Sequence, residues 1–344
     1  MHYFTSSYIT TFIGLILAYF WGEHLHSGSG LASIFIVLVL GILEVSLSFD
    51  NAVVNAIKLE KMNEKWRNRF LTWGMLIAVF GMRFLFPVLV VAVFAKIGLF
   101  EVAQIALTNP NEYANYLHQT HSPIVAFGGA FLLMLFLSYF FSANKEVHWM
   151  KRTEKCLKYC GNLNGAETIV TLLALCFTQS HVQAEQRLLV IISGISGIIL
   201  YLLINGLTDW LEKKDDESVY QLSTTVKGAG VIGFLYLELI DASFSLDGVL
   251  GAFALSKDII IITIGLSIGA MFVRSLTMML VEKKTLDKYL YLEHGAHWAI
   301  GALAAIMLTS SYREVPEVVT GVIGLTFILA SLASSKLHNK RNGI

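Results

Sequence analysis

The sequence contains little charge, four prolines and three cysteines. Charged residues make up 15% of the 344 residues, against roughly a quarter in a typical soluble domain. The formal net charge is +0, so the chain lacks the basic excess of a nucleic-acid-binding protein. Cys156, Cys160 and Cys176 form neither a zinc nor a disulfide pattern. The sequence also lacks a His-Glu-x-x-His motif, a Gly-x-Ser-x-Gly motif and a glycine-rich phosphate loop. We therefore expect no enzyme activity and no covalently bound cofactor.

Long apolar runs dominate the chain, which is 55% hydrophobic with a mean hydropathy of +0.64. Runs of about 17 to 25 residues recur along it, the length that crosses a bilayer as a helix. The pattern predicts an all-α, polytopic membrane protein with about ten transmembrane helices. The first segment has no basic stretch before it, so we expect a retained span and not a cleaved signal. The predicted spans are 4–21, 31–57, 70–95, 124–142, 165–179, 188–207, 228–256, 259–281, 294–310 and 318–335.

Lysine and arginine are concentrated in every second loop. Loops 58–69 and 143–160 are rich in them, whereas loops 22–30, 96–123 and 180–187 are poor. The positive-inside rule then places the basic loops and both termini in the cytoplasm. The alternation requires the short fifth segment to cross the membrane. We expect a multi-pass protein of the bacterial cell membrane, with the lipid bilayer as its partner.

One four-residue pattern occurs twice in the sequence, 197 residues apart. It consists of an acid, a serine, a second serine and an aspartate, placed at every second position. The first copy is Glu44, Ser46, Ser48 and Asp50, and the second is Asp241, Ser243, Ser245 and Asp247. A glycine and an arginine nine residues apart follow each copy, as Gly74 and Arg83 and as Gly265 and Arg274. Gly129-Ala130 matches Gly301-Ala302 more weakly. Spans two and seven are therefore counterparts, as are spans three and eight.

The charge bias makes the two copies run in opposite directions across the membrane. This indicates an inverted repeat with halves 1–187 and 188–344, which together form one membrane domain. In transporters built from inverted repeats, substrate sites lie near the membrane midplane, where the repeats meet. Glu44 and Asp241 fall near the centres of their spans, so we expect them to lie close together at that depth.

Ionisable groups inside a membrane are costly and mark functional or paired positions. On an unbroken helix a six-residue step turns through about 240°, so the two acids of one span would not share a face. A break near Ser46–Ser48 and near Ser243–Ser245 would let both point inward and would free backbone carbonyls. With the amide of Asn51, the acids form an all-oxygen set suited to Mg²⁺, Ca²⁺ or Mn²⁺.

Several further residues are candidates at this site. Glu238 shares a helical face with Asp241 and is a candidate ligand or proton carrier, and Ser48 and Ser245 are candidate ligands. Arg83 and Arg274 are predicted to balance the acids. Two structural alternatives stay open: the acid–arginine pairs hold helices together, and the serines serve helix packing.

The first motif, Leu43-Glu44-Val45-x-Leu47-Ser48-x-Asp50-Asn51-Ala52-Val53, resembles the signature of the TerC family of integral membrane proteins. The second, Asp241-x-x-Phe244-Ser245-x-Asp247 with the later Asp258 and Arg274, resembles that family's second signature. The chain looks most like the large TerC-like branch labelled as a domain of unknown function. Gly248 stands where the first motif has Asn51, which implies an asymmetric site.

The TerC family is associated with tellurite-resistance gene clusters and includes manganese exporters. The resemblance implies efflux of Mn²⁺ or a similar divalent cation, with the ion bound by Glu44, Asp50, Asn51, Asp241 and Asp247. The alternative is a membrane scaffold or assembly partner in a tellurite or metal stress-resistance complex, which transports nothing. The transported ion, and whether the chain forms a homo-oligomer, stay open.

Overall fold

The computed structural model describes residues 2–342, and the following fall outside the description: 26, 75, 143–146, 164, 217–229, 232, 243–248, 250–251, 253–254, 257, 284–288 and 314. The described residues are almost entirely helical, as expected where backbone groups in lipid have no water to bond. The chain is an all-α polytopic membrane protein. Within the described part, five helices are long and apolar enough to cross a membrane: Gly30–Leu47, Pro110–Phe141, Arg187–Leu207, Ile259–Glu282 and Val319–Arg341.

The helices follow the predicted spans in order. They are α1 (Thr5–Leu25), α2 (Gly30–Leu47), α3 (Phe49–Lys61), α4 (Glu64–Arg69), α5 (Phe86–Ala95), α6 (Leu99–Thr108), α7 (Pro110–Phe141), α8 (Lys151–Cys160), α9 (Ala166–His181), α10 (Arg187–Asp216), α11 (233–242), α12 (Ile259–Glu282), α13 (Leu292–Ser310) and α14 (Glu317–Asn342). Two π-helical segments, Phe70–Gly74 and Ile77–Leu85, precede α5. Each predicted span thus contains helix, including the short fifth one, and the span count itself stays a prediction.

One predicted loop is partly helical. Residues 96–123 were expected to connect two spans, yet α6 lies within them and α7 begins at Pro110. Proline is favoured in the first turn of a helix, where its missing N–H loses no bond. Tyr113, Leu117 and Thr120 are buried at helical spacing along this extension. The extension is therefore an amphipathic continuation of a membrane helix, too polar on its outer face to register as a span.

The outer faces of the peripheral helices are apolar. Phe12, Phe20, Phe35 and Ile42 each expose more than half of their surface. Such surfaces are costly in water over a large area, and they suit contact with lipid tails. In the interior, α12 packs against α2, α3 and α1, while α7 packs against α10 and α13. The described acids of the sequence repeat, Glu44, Asp50 and Asp241, lie on α2, α3 and α11, close to where α12 packs against α2 and α3.

Candidate functional site

The second predicted span is broken at Ser48, as expected. Helix α2 ends at Leu47 and α3 begins at Phe49, with Ser48 at φ −100° and ψ 15° between them. Backbone hydrogen bonds continue through the break, because Ser48 N–H donates to Glu44 O at 2.9 Å and Ala52 N–H donates to Ser48 O at 3.1 Å. The irregularity is therefore local to Ser48, and the Glu44 and Ser48 carbonyls are not freed, contrary to that part of the prediction.

Arg83 joins the two acids that the sequence places near the midplane. Its guanidinium donates to Glu44 Oε1 in a close ion pair, and its other terminal nitrogen lies 3.5 Å from Asp241 Oδ2. Ser48 Oγ donates a second hydrogen bond to Glu44 Oε1 at 3.1 Å. Glu44 and Arg83 are almost fully buried, at 1% and 2% exposed. The structure therefore brings Glu44 and Asp241 to the same arginine, and the charge-balancing role of Arg83 stays a prediction.

Asn51 completes the link between α3 and α11. Its Nδ2 donates to Asp241 Oδ1 at 2.6 Å. Its own Oδ1 has no hydrogen-bond partner among the described residues, whereas Asp241 Oδ2 has the 3.5 Å ion pair with Arg83. A buried polar oxygen without a donor is uncommon and costly. The centre thus has a spare acceptor oxygen on Asn51, and its two acids share one positive charge.

Asp50 points elsewhere. Its Oδ1 accepts the backbone N–H of Asn51 at 2.9 Å. Its Oδ2 lies against α14, where a Cβ added to Gly324 would be 2.9 Å away. Adjacent residues on a helix differ by about 100° in direction, so Asn51 faces α11 while Asp50 faces α14. The described contacts therefore place Asp50 beside the Glu44–Arg83–Asp241 group and not in it.

Two glycines let neighbouring helices approach the acids. On α12, a Cβ at Gly269 would overlap the Cβ of Glu44 and lie 2.8 Å from Gly41 O. In the π-helical segment before α5, a Cβ at Gly74 would lie 2.7 Å from Glu238 Oε1. Both acids are therefore held against bare backbone, which fixes them without adding a side-chain contact.

Other predicted site residues have different outcomes. Glu238 is buried on α11, three residues before Asp241, as the spacing predicted. Asp247, Ser243 and Ser245 lie outside the described residues, so their roles and the second predicted break stay predictions. Arg274 lies on α12, and its pairing with an acid also stays a prediction. Among the described residues, no group of three or more His, Cys, Asp or Glu side chains has the arrangement of a metal site.

Residues 49–342 match the family described as "Protein of unknown function (DUF475)". The chain belongs to this family. A curated protein, "Uncharacterized membrane protein YceF" of Bacillus subtilis (strain 168), is 29% identical over 137 residues, which are 38% of this chain and 52% of that protein. The chain therefore spans about half the length of this relative. No solved structure matched the chain. The comparisons support a membrane protein family.

In this DUF475 member, two features of the structure were missed by sequence reasoning. Asn55 is buried one turn after Asn51, and its Oδ1 has no partner among the described residues. Glu154, on α8, is 1% exposed and accepts hydrogen bonds from His294 and Trp298. The i, i+4 spacing of Asn51 and Asn55 was a usable signal for the first. The contact of Glu154 with a residue 140 positions later had no local signal.

Proposed function

We propose that this protein exports a divalent metal cation, Mn²⁺ foremost, across the bacterial cell membrane by alternating access. The observation that carries the proposal is the sharing of Arg83 by Glu44 and Asp241, one acid from each copy of the sequence repeat. A cation held between the two copies is what a transporter built from an inverted repeat requires at its centre.

In this reading, Arg83 occupies the place of the ion in the metal-free state. Burying two carboxylates without a compensating charge costs several kcal/mol per ion, and Arg83 offsets that cost. An incoming divalent cation needs the same carboxylate oxygens, and it also finds the oxygen of Asn51 that has no hydrogen-bond partner among the described residues. Metal and arginine then compete for the acids. Either the metal or Arg83 can balance the charge of the two acids when the other is absent. The metal-free transporter therefore stays stable enough to return to the state that binds the next ion.

Reciprocal contacts between α7 and α13 support the inverted repeat. A Cβ at Gly129 would contact Leu308, and a Cβ at its counterpart Gly301 would contact Phe136. Leu308 and Phe136 each lie seven residues after the glycine of their own helix. Such an exchange of equivalent positions is what a two-fold axis between the two helices produces. We infer that the halves 1–187 and 188–344 are related by this axis, with the basic loops and both termini in the cytoplasm.

The choice of Mn²⁺ rests on ligand chemistry and on the resemblance to TerC proteins. Carboxylate and amide oxygens suit hard divalent cations, with Ca²⁺ and Mg²⁺ as the other candidates. The motifs around Glu44 and Asp241 resemble those of a family that includes manganese exporters. We place this DUF475 chain among the relatives of that family as part of the proposal.

A membrane scaffold is the second candidate, and one observation favours it. Both described acids of the centre are tied to one arginine, and the described residues hold no ready-made group of three metal-ligating acids or histidines. A purely structural ion pair would have this geometry. The two functions differ in whether a metal can take over the role of Arg83.

That difference can be tested with Arg83→Met in the full-length protein purified in detergent. Without metal, the variant leaves two buried acids uncompensated, and we expect it to lose about 3–5 kcal/mol of stability. If Mn²⁺ takes the place of the guanidinium, adding it at about 100 times its Kd should restore about 2.7 kcal/mol. Thermal unfolding with and without Mn²⁺, Ca²⁺ and Mg²⁺ measures both effects.

Arg69→Met is the matched control, because Arg69 lies exposed on α4 and contacts the ring of Trp66. It should unfold like the wild type at every metal concentration. Reconstituted wild-type protein should also move Mn²⁺ across a vesicle membrane, as read by a metal-sensitive dye inside. An Arg83→Met protein that no metal restores, together with vesicles that stay impermeable to Mn²⁺, would establish the scaffold instead.

A further inference from the structure

Helices α3 and α11 run antiparallel, with two contacts that fix their register. At one level Asn51 Nδ2 donates to Asp241 Oδ1 at 2.6 Å. At the other, Lys58 Nζ lies 4.7 Å from the centre of the Tyr236 ring. Going from the first contact to the second, the residue number rises on α3 and falls on α11. The residues between these contacts therefore face one another in a defined order.

Asn55 and Glu238 lie between the two contacts. Asn55 is one helical turn after Asn51, about 6 Å along α3, and Glu238 is about 4.5 Å before Asp241 along α11. The two side chains therefore lie at nearly the same depth. They are buried, at 5% and 6% exposed. Both belong to the face of their helix that carries the Asn51–Asp241 hydrogen bond.

The oxygens at this level have no donors. Neither Glu238 Oε1 nor Oε2 has a hydrogen-bond partner in the described part of the chain, and the same holds for Asn55 Oδ1. The backbone of Gly74 packs against the carboxyl group of Glu238, since a Cβ added to Gly74 would be 2.7 Å from Glu238 Oε1. A buried carboxyl and a buried amide oxygen that lie at one depth on adjacent helix faces, without donors, leave their acceptor capacity for a bound cation.

We propose that Asn55 and Glu238 form a second subsite for a hard divalent cation, one helical turn from Asp241 on the side of Lys58. The inference rests on the proposed function, because it adds a stage to the path of the same ion. An ion leaving or approaching the Glu44–Asp241 centre through this end of α3 passes the subsite.

A structural role for Glu238 makes a different prediction. A buried acid that stabilises the fold does so through a partner, and its removal is then destabilising. Glu238 has no hydrogen bond to lose among the described residues. Glu238→Gln should therefore unfold at the same temperature as the wild type or higher, while its affinity for metal falls.

The test uses full-length protein in detergent and Mn²⁺ alone as the probe, with bound Mn²⁺ measured by electron paramagnetic resonance. We expect Mn²⁺ affinity to fall at least tenfold in Glu238→Gln and about threefold or more in Asn55→Ala. Glu64→Gln removes an exposed acid from α4 and should bind Mn²⁺ like the wild type. In an Asp241→Asn background, which weakens the central pair, the remaining Mn²⁺ binding should disappear when Glu238→Gln is added.

Each outcome separates the subsite from the proposed function. If Glu238→Gln and Asn55→Ala bind Mn²⁺ as Glu64→Gln does, the subsite does not exist, and transport through the central acids is untouched by that result. If binding depends on Glu238 but wild-type vesicles move no Mn²⁺, the subsite stands and export fails. If the wild type binds no Mn²⁺ at millimolar concentration, both proposals are overturned.

Discussion

Glu44 is fixed from two directions. Its carboxylate is held by Arg83 and by the hydroxyl of Ser48, and its aliphatic stem lies against the backbone of Gly269 on α12. A charged group at this depth is tolerated only with such compensation. The ion pair supplies the charge balance, and the glycine supplies the room for α12 to close over the pair.

Gly269→Ala should disturb this arrangement. The added methyl group would overlap Glu44 and crowd Gly41 O, and overpacking of this kind costs typically about 1–3 kcal/mol. We expect a lower unfolding temperature in detergent and slower Mn²⁺ movement in vesicles, because Glu44 is pushed away from Arg83. Gly206→Ala is the control: its Cβ meets nothing within 4 Å, and alanine is the better helix former. Equal unfolding temperatures in the two variants would contradict a packing role for Gly269.

At the residue scale, the sequence predicts the identity of the acids at the site more reliably than it predicts the direction of their side chains. Glu44, Asp241 and Arg83 follow from the cost of placing charge in a membrane, and the structure brings these three together. The orientation of Asp50 does not follow, because one step along a helix turns a side chain by about 100°. Packing between segments that are far apart in the sequence decides whether Asp50 contacts α11 or α14. The spacing of residues within one helix carries no information about that packing.

At the element scale, helix α8 is tied to the membrane domain through one carboxylate. Glu154 accepts hydrogen bonds from the backbone N–H groups of Trp149 and Met150 at 3.2 and 3.1 Å. It lies 3.1 Å from His294 Nδ1, at the start of α13. Burial disfavours its charged form, but the hydrogen bonds from His294, Met150 and Trp298 outweigh burial and lower the pKa of Glu154 to about 2.

Glu154→Gln should loosen α8. Losing a buried, charge-assisted hydrogen-bond acceptor costs about 1–3 kcal/mol, so the backbone amides of α8 should exchange hydrogen several-fold faster. In the wild type, a carboxyl with a lowered pKa stabilises the folded state above its ordinary pKa of about 4.3. That contribution should be lost as the pH falls from about 4.5 towards 2. The exposed Glu185→Gln should leave exchange in α8 unchanged, and a similar rate in both variants would refute the tether.

The break at Ser48 falls where the sequence predicted one, but the reason for that prediction does not hold, because Asp50 lies against α14 and not with Glu44. Its detail differs from the expectation, since the backbone hydrogen bonds at Glu44 and Ser48 persist through it. The early start of α7 at Pro110 was missed for a related reason. Hydropathy detects the apolar part of a helix, whereas its polar extension is stabilised by burial of Tyr113 and Leu117 against other helices.

At the scale of the whole molecule, the helical membrane class was readable from composition and apolar run length, and the structure agrees. The arrangement of the helices was only partly readable. The paired motifs indicated which spans are counterparts, and the exchanged contacts of Gly129 and Gly301 support that relation. Depth and direction in the membrane come from the loop charges alone, because the packing of the helices is the same whichever end faces the cytoplasm.

Orientation therefore needs its own measurement, and the direction of export depends on it. In a chain with Cys156, Cys160 and Cys176 replaced by serine, Glu64→Cys lies on α4 within the basic loop 58–69. We expect a membrane-impermeant thiol reagent to label it only after the membrane is opened. Glu185→Cys, in the loop between α9 and α10, should be labelled in intact cells. Labelling in the opposite pattern would reverse the predicted topology. Labelling of both cysteines in intact cells would show that the chain crosses the membrane an even number of times between positions 64 and 185, and not the odd number predicted. In that second case α9, the shortest predicted span, does not cross, and the inverted relation of the two halves is lost with it.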